Sequence, residues 1–331
     1  MPNDSAAIEV RDLVKRYAKS PVNAVDGVTF QVRPGEIFGL LGPNGAGKTT
    51  TIGVLITSVV PTSGAAAIMG LDVVRNPIGI KQRIAVVPQQ SNLDRSLRVR
   101  EILTFHAAYH GVPHREREER ADSLLNELGL GERKNDRAWR YSGGMSQRLM
   151  IARALMHAPD VLFLDEPTNN LDPQSRLFLW DRIRALNAQG LTILLTTHDM
   201  NEADQLCGRI AIMDKGRILV NDTAGELKKM IPGGSTVELR VRLPEPSAGA
   251  RVAEALRALD GVNKVDELDA DTPEEEEPDL AAYRLYAEKA PALVGPATQA
   301  MLLEGAQVRD LHVKQPSLED VFIYLTGRHL R

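Results

Sequence analysis

Cysteine is almost absent: the 331-residue chain carries one, Cys207. A single thiol cannot form an intramolecular disulfide, so packing must hold the fold, and a reducing compartment suits it. Cys207 itself reads as a small apolar residue packed near a helix end. Long apolar runs are missing as well, since none reaches the roughly 18 residues that a membrane span needs. The opening residues MPNDSAAIEVRDL lack a basic stretch followed by an apolar core, so no secretory signal is expected there. Basic charge is not in excess either. A net charge of -4 and a pI of about 6.0 argue against a nucleic-acid footprint, and no nucleic-acid partner is expected. No repeat of fixed period is present, which excludes a solenoid. The expectation is a cytosolic chain, with any membrane-spanning part on a separate polypeptide.

What is present suits ordinary globular cores: 43% of residues are apolar, and the length fits about two domains. The Pro/Gly cluster KKMIPGGS, Lys228 to Ser235, marks a break. The expected domains are 1–230 and 231–331. Before the break, strand-like runs (Ile37–Leu41, Ile84–Val87, Val161–Leu164, Thr192–Thr196, Ile210–Met213) alternate with helix-like segments (Thr49–Thr57, Arg115–Leu128, Met145–Met156, Gln174–Asn187). That order implies an α/β fold around a mostly parallel sheet. The stretch from about Leu93 to Gly129 is nearly all helix-patterned, and a helical insertion is expected over about 93–158. After the break the order changes: strand Thr236–Leu243, helix Arg251–Leu259, strands Val262–Leu268 and Tyr283–Ala287, helix Ala292–Leu303, strand Gln307–Val313 and a last helix at Ser317–Thr326. This predicts a small α+β domain of the ferredoxin-like βαββαβ kind. The acidic run TPEEEEPD, Thr272 to Asp279, reads as a solvated hairpin loop.

The first motif that carries chemistry is GPNGAGKT, Gly42 to Thr49, between the strand EIFGLL and a helix. Strand, glycine-rich loop and helix are the setting of a P-loop. Consecutive backbone amides and a helix N-terminus offer donors and a positive dipole end to a triphosphate. Gly42, Gly45 and Gly47 suit unusual φ values and close approach. Pro43, Asn44, Ala46 and Thr50 complete the cradle. Lys48 is expected on the β- and γ-phosphates and Thr49 on Mg²⁺.

The second is VLFLDEPTNNLD, Val161 to Asp172. Four apolar residues carry Asp165 and Glu166 to the C-terminal end of a buried strand, where open α/β sheets bind ligands. Asp165 suits Mg²⁺, because hard cations take oxygen ligands. Glu166, on the opposite side of the strand end, is placed to accept a proton from an attacking water.

YSGGMSQRL, Tyr141 to Leu149, lies just before that strand. Ser-Gly-Gly before an apolar helix is a second anion-binding helix N-terminus. Together the three motifs make the chain resemble an ATP-binding cassette (ABC) ATPase over about Ile8 to Leu227, with a P-loop NTPase fold. Ser142, Gly143 and Gly144 match that family's LSGGQ signature, while Tyr141 and Met145 replace its Leu and Gln. The resemblance implies an ATPase using ATP and Mg²⁺, and a head-to-tail dimer in which each signature faces the partner's nucleotide. It assigns Tyr17 to adenine stacking and Gln89, rather than Gln90, to the Q-loop, touching Mg²⁺ or the lytic water. It assigns Asp172 to the D-loop and His198 to the switch position beside the γ-phosphate. Met145 and the tail QPSLEDVFIYLTGR, Gln315 to Arg328, resemble the bacterial export-type group. The expected partners are separate permease chains, each of about six spans of ~20 apolar residues, and a second copy of this chain. The expected location is the cytoplasmic face of the inner membrane, through the permease. The alternative is a non-transport ABC ATPase acting on ribosomes, DNA or protein assemblies. A third reading makes the C-terminal domain a small-molecule sensor.

His106, His110 and His114 recur every four residues, but Gly111 and Pro113 break the helix between the last two. The three cannot share one face, and packing or solvation is the expected role.

Overall fold

The computed structural model describes residues 6–18, 20–231, 234–268, 280–287 and 290–327. Contacts divide the chain into two compact units between Ala224 and Gly225.

The first unit has two sheets. Strands β1 (Ile8–Lys15) and β2 (Val25–Val32) precede β3 (Ile37–Leu41), which runs into helix α1 (Lys48–Leu55). Strands β4 (Ser63–Ile68) and β5 (Leu71–Asp72) then join the first two in an antiparallel sheet of order β2-β1-β4-β5. Helix α2 (Pro77–Arg83) leads into β6 (Ile84–Val87). Strands β7 (Val161–Asp165), β8 (Thr192–Thr197), β9 (Arg209–Asp214) and β10 (Arg217–Asp222) complete a six-stranded sheet of order β10-β9-β3-β8-β7-β6. Five of these strands are parallel neighbours, and β10 pairs antiparallel on the edge. All five runs expected as strands lie in this sheet. Every residue of β3 and β8 is buried, as a strand covered on both faces demands. Gly39 of β3 is needed for space, because a Cβ there would stand 2.7 Å from Cys207 Sγ. Cys207 is buried, and burial pushes its thiol well above the ordinary pKa.

Between β6 and β7 lies the helical region: α3 (Val99–Tyr109), α4 (His114–Glu127) and α5 (Gly143–Ala154), the last followed by a 3₁₀ turn at Leu155–His157. Helix α3 packs against both α4 and α5, and Ile102, Leu103, Ala107, Leu125 and Leu149 of these helices are buried. Helices α6 (Pro173–Ala188) and α7 (Met200–Leu206) follow β7 and β8. Helix α8 (Ala224–Lys229) begins at the division between the units, which falls six residues ahead of the boundary expected between 230 and 231. Among the described residues no helix is long and apolar enough to cross a membrane.

The second unit runs β11 (Ser235–Arg242), α9 (Gly249–Arg257), β12 (Lys264–Leu268), β13 (Leu280–Ala287), α10 (Ala290–Leu303), β14 (Gln307–Lys314) and α11 (Leu318–Thr326). Its sheet has the order β12-β13-β11-β14 with every pair antiparallel, the ferredoxin-like arrangement. Val237, Leu239 and Val241 alternate inward to meet Val252, Leu256, Leu293 and Met301. Strand β12 starts at Lys264 and not at Val262, whose amide closes a turn onto the Leu259 carbonyl at 3.3 Å. Ser317 and Asp320 form a reciprocal capping box at the start of α11. The run Thr272 to Asp279, expected as a hairpin loop, lies outside the described residues, as does Arg328.

Candidate active site

The C-terminal ends of β3, β6, β7 and β8 lie side by side and deliver the loops at Gly42, Gln89, Glu166 and His198 to one edge of the sheet. The three glycines after β3 have different reasons to be glycine. A Cβ on Gly42 would stand 2.2 Å from the Met213 carbonyl oxygen, so that position is a matter of space alone. Gly45 has φ +81° with nothing near it, so there the left-handed backbone decides. Gly47 needs both: its φ is +103°, and a Cβ would meet the Ala24 carbonyl oxygen at 2.5 Å. Pro43 and Asn44 form the outer shoulder of the loop, and Ala46 is buried beneath it.

Helix α1 starts with no side-chain cap, because Gly47 occupies the N-cap position. Lys48 is buried, and its Nζ donates to the carbonyls of Gly42 (2.6 Å) and Pro43 (3.1 Å). Burial pushes the Lys48 ammonium below its ordinary pKa, while Glu166 and Asp165 draw it partly back. Thr49 is exposed beside it. Tyr17, 45% exposed, places its hydroxyl 3.5 Å from Thr50 Oγ1, and Lys15 Nζ lies 5.2 Å from the Tyr17 ring centre.

Asp165 ends β7 and accepts a hydrogen bond from Thr196 Oγ1 at 2.5 Å. Glu166 is buried and holds a left-handed backbone with φ 49°, unusual for a residue with a side chain. Its amide is pinned to the Thr196 carbonyl at 3.0 Å. Its carboxylate is the meeting point of the site. Oε2 accepts from Gln89 Nε2 at 2.8 Å and from Asn169 Nδ2 at 3.3 Å. Oε1 lies 3.8 Å from Lys48 Nζ and 3.3 Å from His198 Nδ1. Three of the four residues read from sequence as catalytic, Lys48, Gln89 and His198, therefore converge on the carboxyl group of the fourth, Glu166. Behind it, the buried Glu202 accepts from Thr168 Oγ1 (2.6 Å) and Trp180 Nε1 (3.2 Å), and burial raises its pKa.

The segment from Ser142 to Met145 is built differently. Ser142 caps α5, its hydroxyl accepting from the Met145 amide at 3.3 Å. Gly143 faces open space, whereas a Cβ on Gly144 would meet Ser175 Oγ at 2.7 Å. The start of α5 thus packs on the start of α6, which Asp172 caps by accepting from the Ser175 amide at 2.9 Å. That hydroxyl and amide hold the Asp172 carboxyl below its ordinary range. Among the described residues no hydrogen bond or ion pair links Ser142–Met145 to the loop at Gly42–Thr49 within the chain.

Sequence reading missed three residues that organise these groups. Thr196 and Asn169 fix the two carboxylates, and both were visible as polar residues inside LLTTHD and EPTNN. Arg133 was not signalled at all. Its guanidinium lies 5.5 Å from the Tyr141 ring centre and donates to Met145 Sδ at 3.3 Å. The two departures from the usual signature are therefore coupled through one arginine. Tyr141 donates its hydroxyl to the Arg133 carbonyl at 3.1 Å, and burial pushes its pKa to about 12.

The ABC transporter family pattern matches residues 25–169, a span that contains the glycine loop, the signature and both carboxylates. The daunorubicin/doxorubicin resistance ATP-binding protein DrrA of Streptomyces peucetius is 39% identical over 97% of this chain and 92% of its own length. This chain belongs to the ABC transporter family. The Nod factor export ATP-binding protein I of Paraburkholderia xenovorans is likewise 39% identical, over 98% of this chain and 99% of its own. Among solved structures, an ATP-binding subunit of an ABC transporter superposes with a TM-score of 0.62 at 33% identity, covering 68% of this chain and 92% of that one. A dimeric ATP-binding cassette bound to ADP and Pi superposes at 0.60 with 26% identity, covering 65% and 98%. The chain is the ATP-binding and ATP-hydrolysing subunit of an ABC transporter, and it powers export through a separate membrane permease, on which it is peripheral. Relatives that match over nearly the full length favour this over action on ribosomes, DNA or protein assemblies.

Proposed function

We propose that Glu166 is the general base of the ATPase, and that its reaction drives export of an organic compound selected by the permease. The observation that carries the assignment is the convergence of Lys48, Gln89, Asn169 and His198 on the buried Glu166 carboxylate. In this reading the amides of Gly42 to Thr50 hold the phosphates and Tyr17 stacks on adenine. Lys48 and His198 stabilise the charge of the transferring phosphoryl group. Gln89 orients the water from which Glu166 takes a proton. Thr49, Asp165 and Gln89 offer oxygen donors alone, which fits Mg²⁺, and Thr196 holds Asp165 ready for that task. The cation would neutralise phosphate charge.

Ser142 to Met145 and Asp172 serve the nucleotide of a second copy in a head-to-tail dimer. The exposure of Gly143 and the dimeric solved relative support that arrangement. The permease has about six spans per chain, each of ~20 apolar residues, and holds the subunit at the cytoplasmic side of the inner membrane. Residues 1–230 act as the ATPase domain and 231–331 as an accessory domain. The names of the relatives, drug resistance and Nod factor export, support an organic cargo here too.

Glu166→Gln should keep ATP binding, lose hydrolysis by about 10²–10⁴-fold as expected for a lost general base, and accumulate an ATP-dependent dimer on gel filtration. Hydrolysis at the unaltered rate would overturn the assignment of the base.

A further inference from the structure

The histidines of α3 find a third partner far along the chain. His106 lies on α3 and His110, one turn later, is its C-cap, with ring centres 4.7 Å apart. His157, in the 3₁₀ turn that follows α5, lies over His110 with the rings nearly parallel and their centres 3.9 Å apart, so one of the two rings must turn for both to hold one ion; it stands 5.9 Å from His106. One ring nitrogen from each lies within 4.8 Å of the others. All three are half-buried. His114, the residue that sequence spacing had grouped with the pair, instead opens α4.

We infer that His106, His110 and His157 form a site for a divalent transition metal of the zinc class, distinct from the Mg²⁺ of the nucleotide site. His157 supplies the strongest argument. Its Nε2 lies 2.9 Å from the carbonyl oxygen of Ile84, so that nitrogen carries the proton and donates. This fixes Nδ1 as the lone-pair nitrogen. Nδ1 is buried and has no hydrogen-bond partner among the described residues. A buried polar nitrogen left unpaired costs free energy that a bound ligand recovers. A histidine whose outer nitrogen donates to a backbone carbonyl is also the usual arrangement of a metal ligand.

The donor set selects the ion. Three imidazoles without a carboxylate suit Zn²⁺, Ni²⁺, Cu²⁺ or Co²⁺ and not Mg²⁺ or Ca²⁺. Three protein nitrogens leave a fourth position for water or an exchangeable ligand. The neighbouring cations are turned to other partners: Arg120 donates to the Met156 carbonyl at 3.2 Å and Arg153 to Asn92 Oδ1 at 2.5 Å. Their positive charge opposes any cation there, so imidazole coordination has to outweigh it. Bound there, the ion would join α3 to the turn closing the signature helix. It would also sit against the first residue of β6, the strand that leads to Gln89.

The test uses the full chain, free of nucleotide, titrated with Co²⁺ alone and then with Zn²⁺ as competitor. The expected result is one equivalent of Co²⁺ per chain with intense visible ligand-field absorption, displaced by Zn²⁺, and a Zn²⁺-dependent rise in melting temperature. His110→Gln and His106→Gln should each weaken binding by more than about 100-fold, beyond the 10–100-fold typical of disturbing an outer partner. His114→Gln should leave it unchanged. His157→Gln also loses the Ile84 hydrogen bond, so circular dichroism and ATP binding must first show that variant folded. If it is not, His106→Gln and His110→Gln decide. Co²⁺ binding that survives His110→Gln and His106→Gln, or that never saturates below millimolar concentration, would overturn the proposal.

Discussion

Two helices of the first unit begin with glycine-rich turns, yet they are made in opposite ways. The turn before α1 has a left-handed glycine at the N-cap, no capping side chain and a buried lysine at its first helical position. The turn before α5 is capped by its own Ser142 and opens at Gly143 onto space. Around the first, the carboxylate, lysine, glutamine and histidine of the same chain already converge. The second makes no hydrogen bond or ion pair with the first within the chain among the described residues, and Gly143 lies exposed. Similar glycine content therefore encodes a strained cradle in one place and a relaxed, exposed turn in the other.

The largest expected contrast comes from Lys48→Ala. It removes the buried cation of the first turn and should lower hydrolysis by about 10²–10³-fold, the scale of losing one preorganised electrostatic contact. Single-turnover hydrolysis with radiolabelled ATP measures this directly. Next is Gly47→Ala, which meets both a positive φ and a carbonyl at 2.5 Å. A loss of roughly 2–3 kcal/mol in unfolding free energy is expected from that strain, read from urea denaturation. At the second turn, Ser142→Ala should cost only about 1 kcal/mol, the worth of one N-cap. Gly143→Ala should change stability least, by at most about 1 kcal/mol and in the stabilising direction. If the second turn serves a partner's nucleotide, Gly143→Ala nevertheless lowers the steady-state rate while its melting curve stays put. A Gly143→Ala enzyme with unaltered turnover would erase the contrast between the two turns.

Much of the first turn's chemistry was legible because it sits in short contiguous strings. GPNGAGKT, the paired carboxylates after VLFL and the histidine of LLTTHD each follow a buried strand, and strand ends converge by the geometry of a parallel sheet. The antiparallel sheet of β1, β2, β4 and β5 was invisible for a physical reason. Asp12 in β1 is left-handed with φ 46°, and the register slips between Val10 and Leu13, so buried residues fall three apart where alternation would place them two apart. Gly27, at φ 71°, does the same to β2, where Val25 and Val28 are both buried. The second unit kept clean alternation in β11, and its order could be read from pattern alone. Long-range partners were beyond reach: nothing local ties His157 to His110, or Arg133 to Met145, because only folding brings them together.

The left-handed backbone of Glu166 carries a consequence for anyone evolving this enzyme. Glycine, or next to it asparagine, would rest more comfortably at φ 49° than glutamate does. A laboratory selection that rewards heat resistance alone would thus drift toward replacing the proposed base, yielding hardier proteins that, on that assignment, have stopped turning over fuel. Coupling such a screen to a growth advantage that depends on export would hold the carboxylate in place.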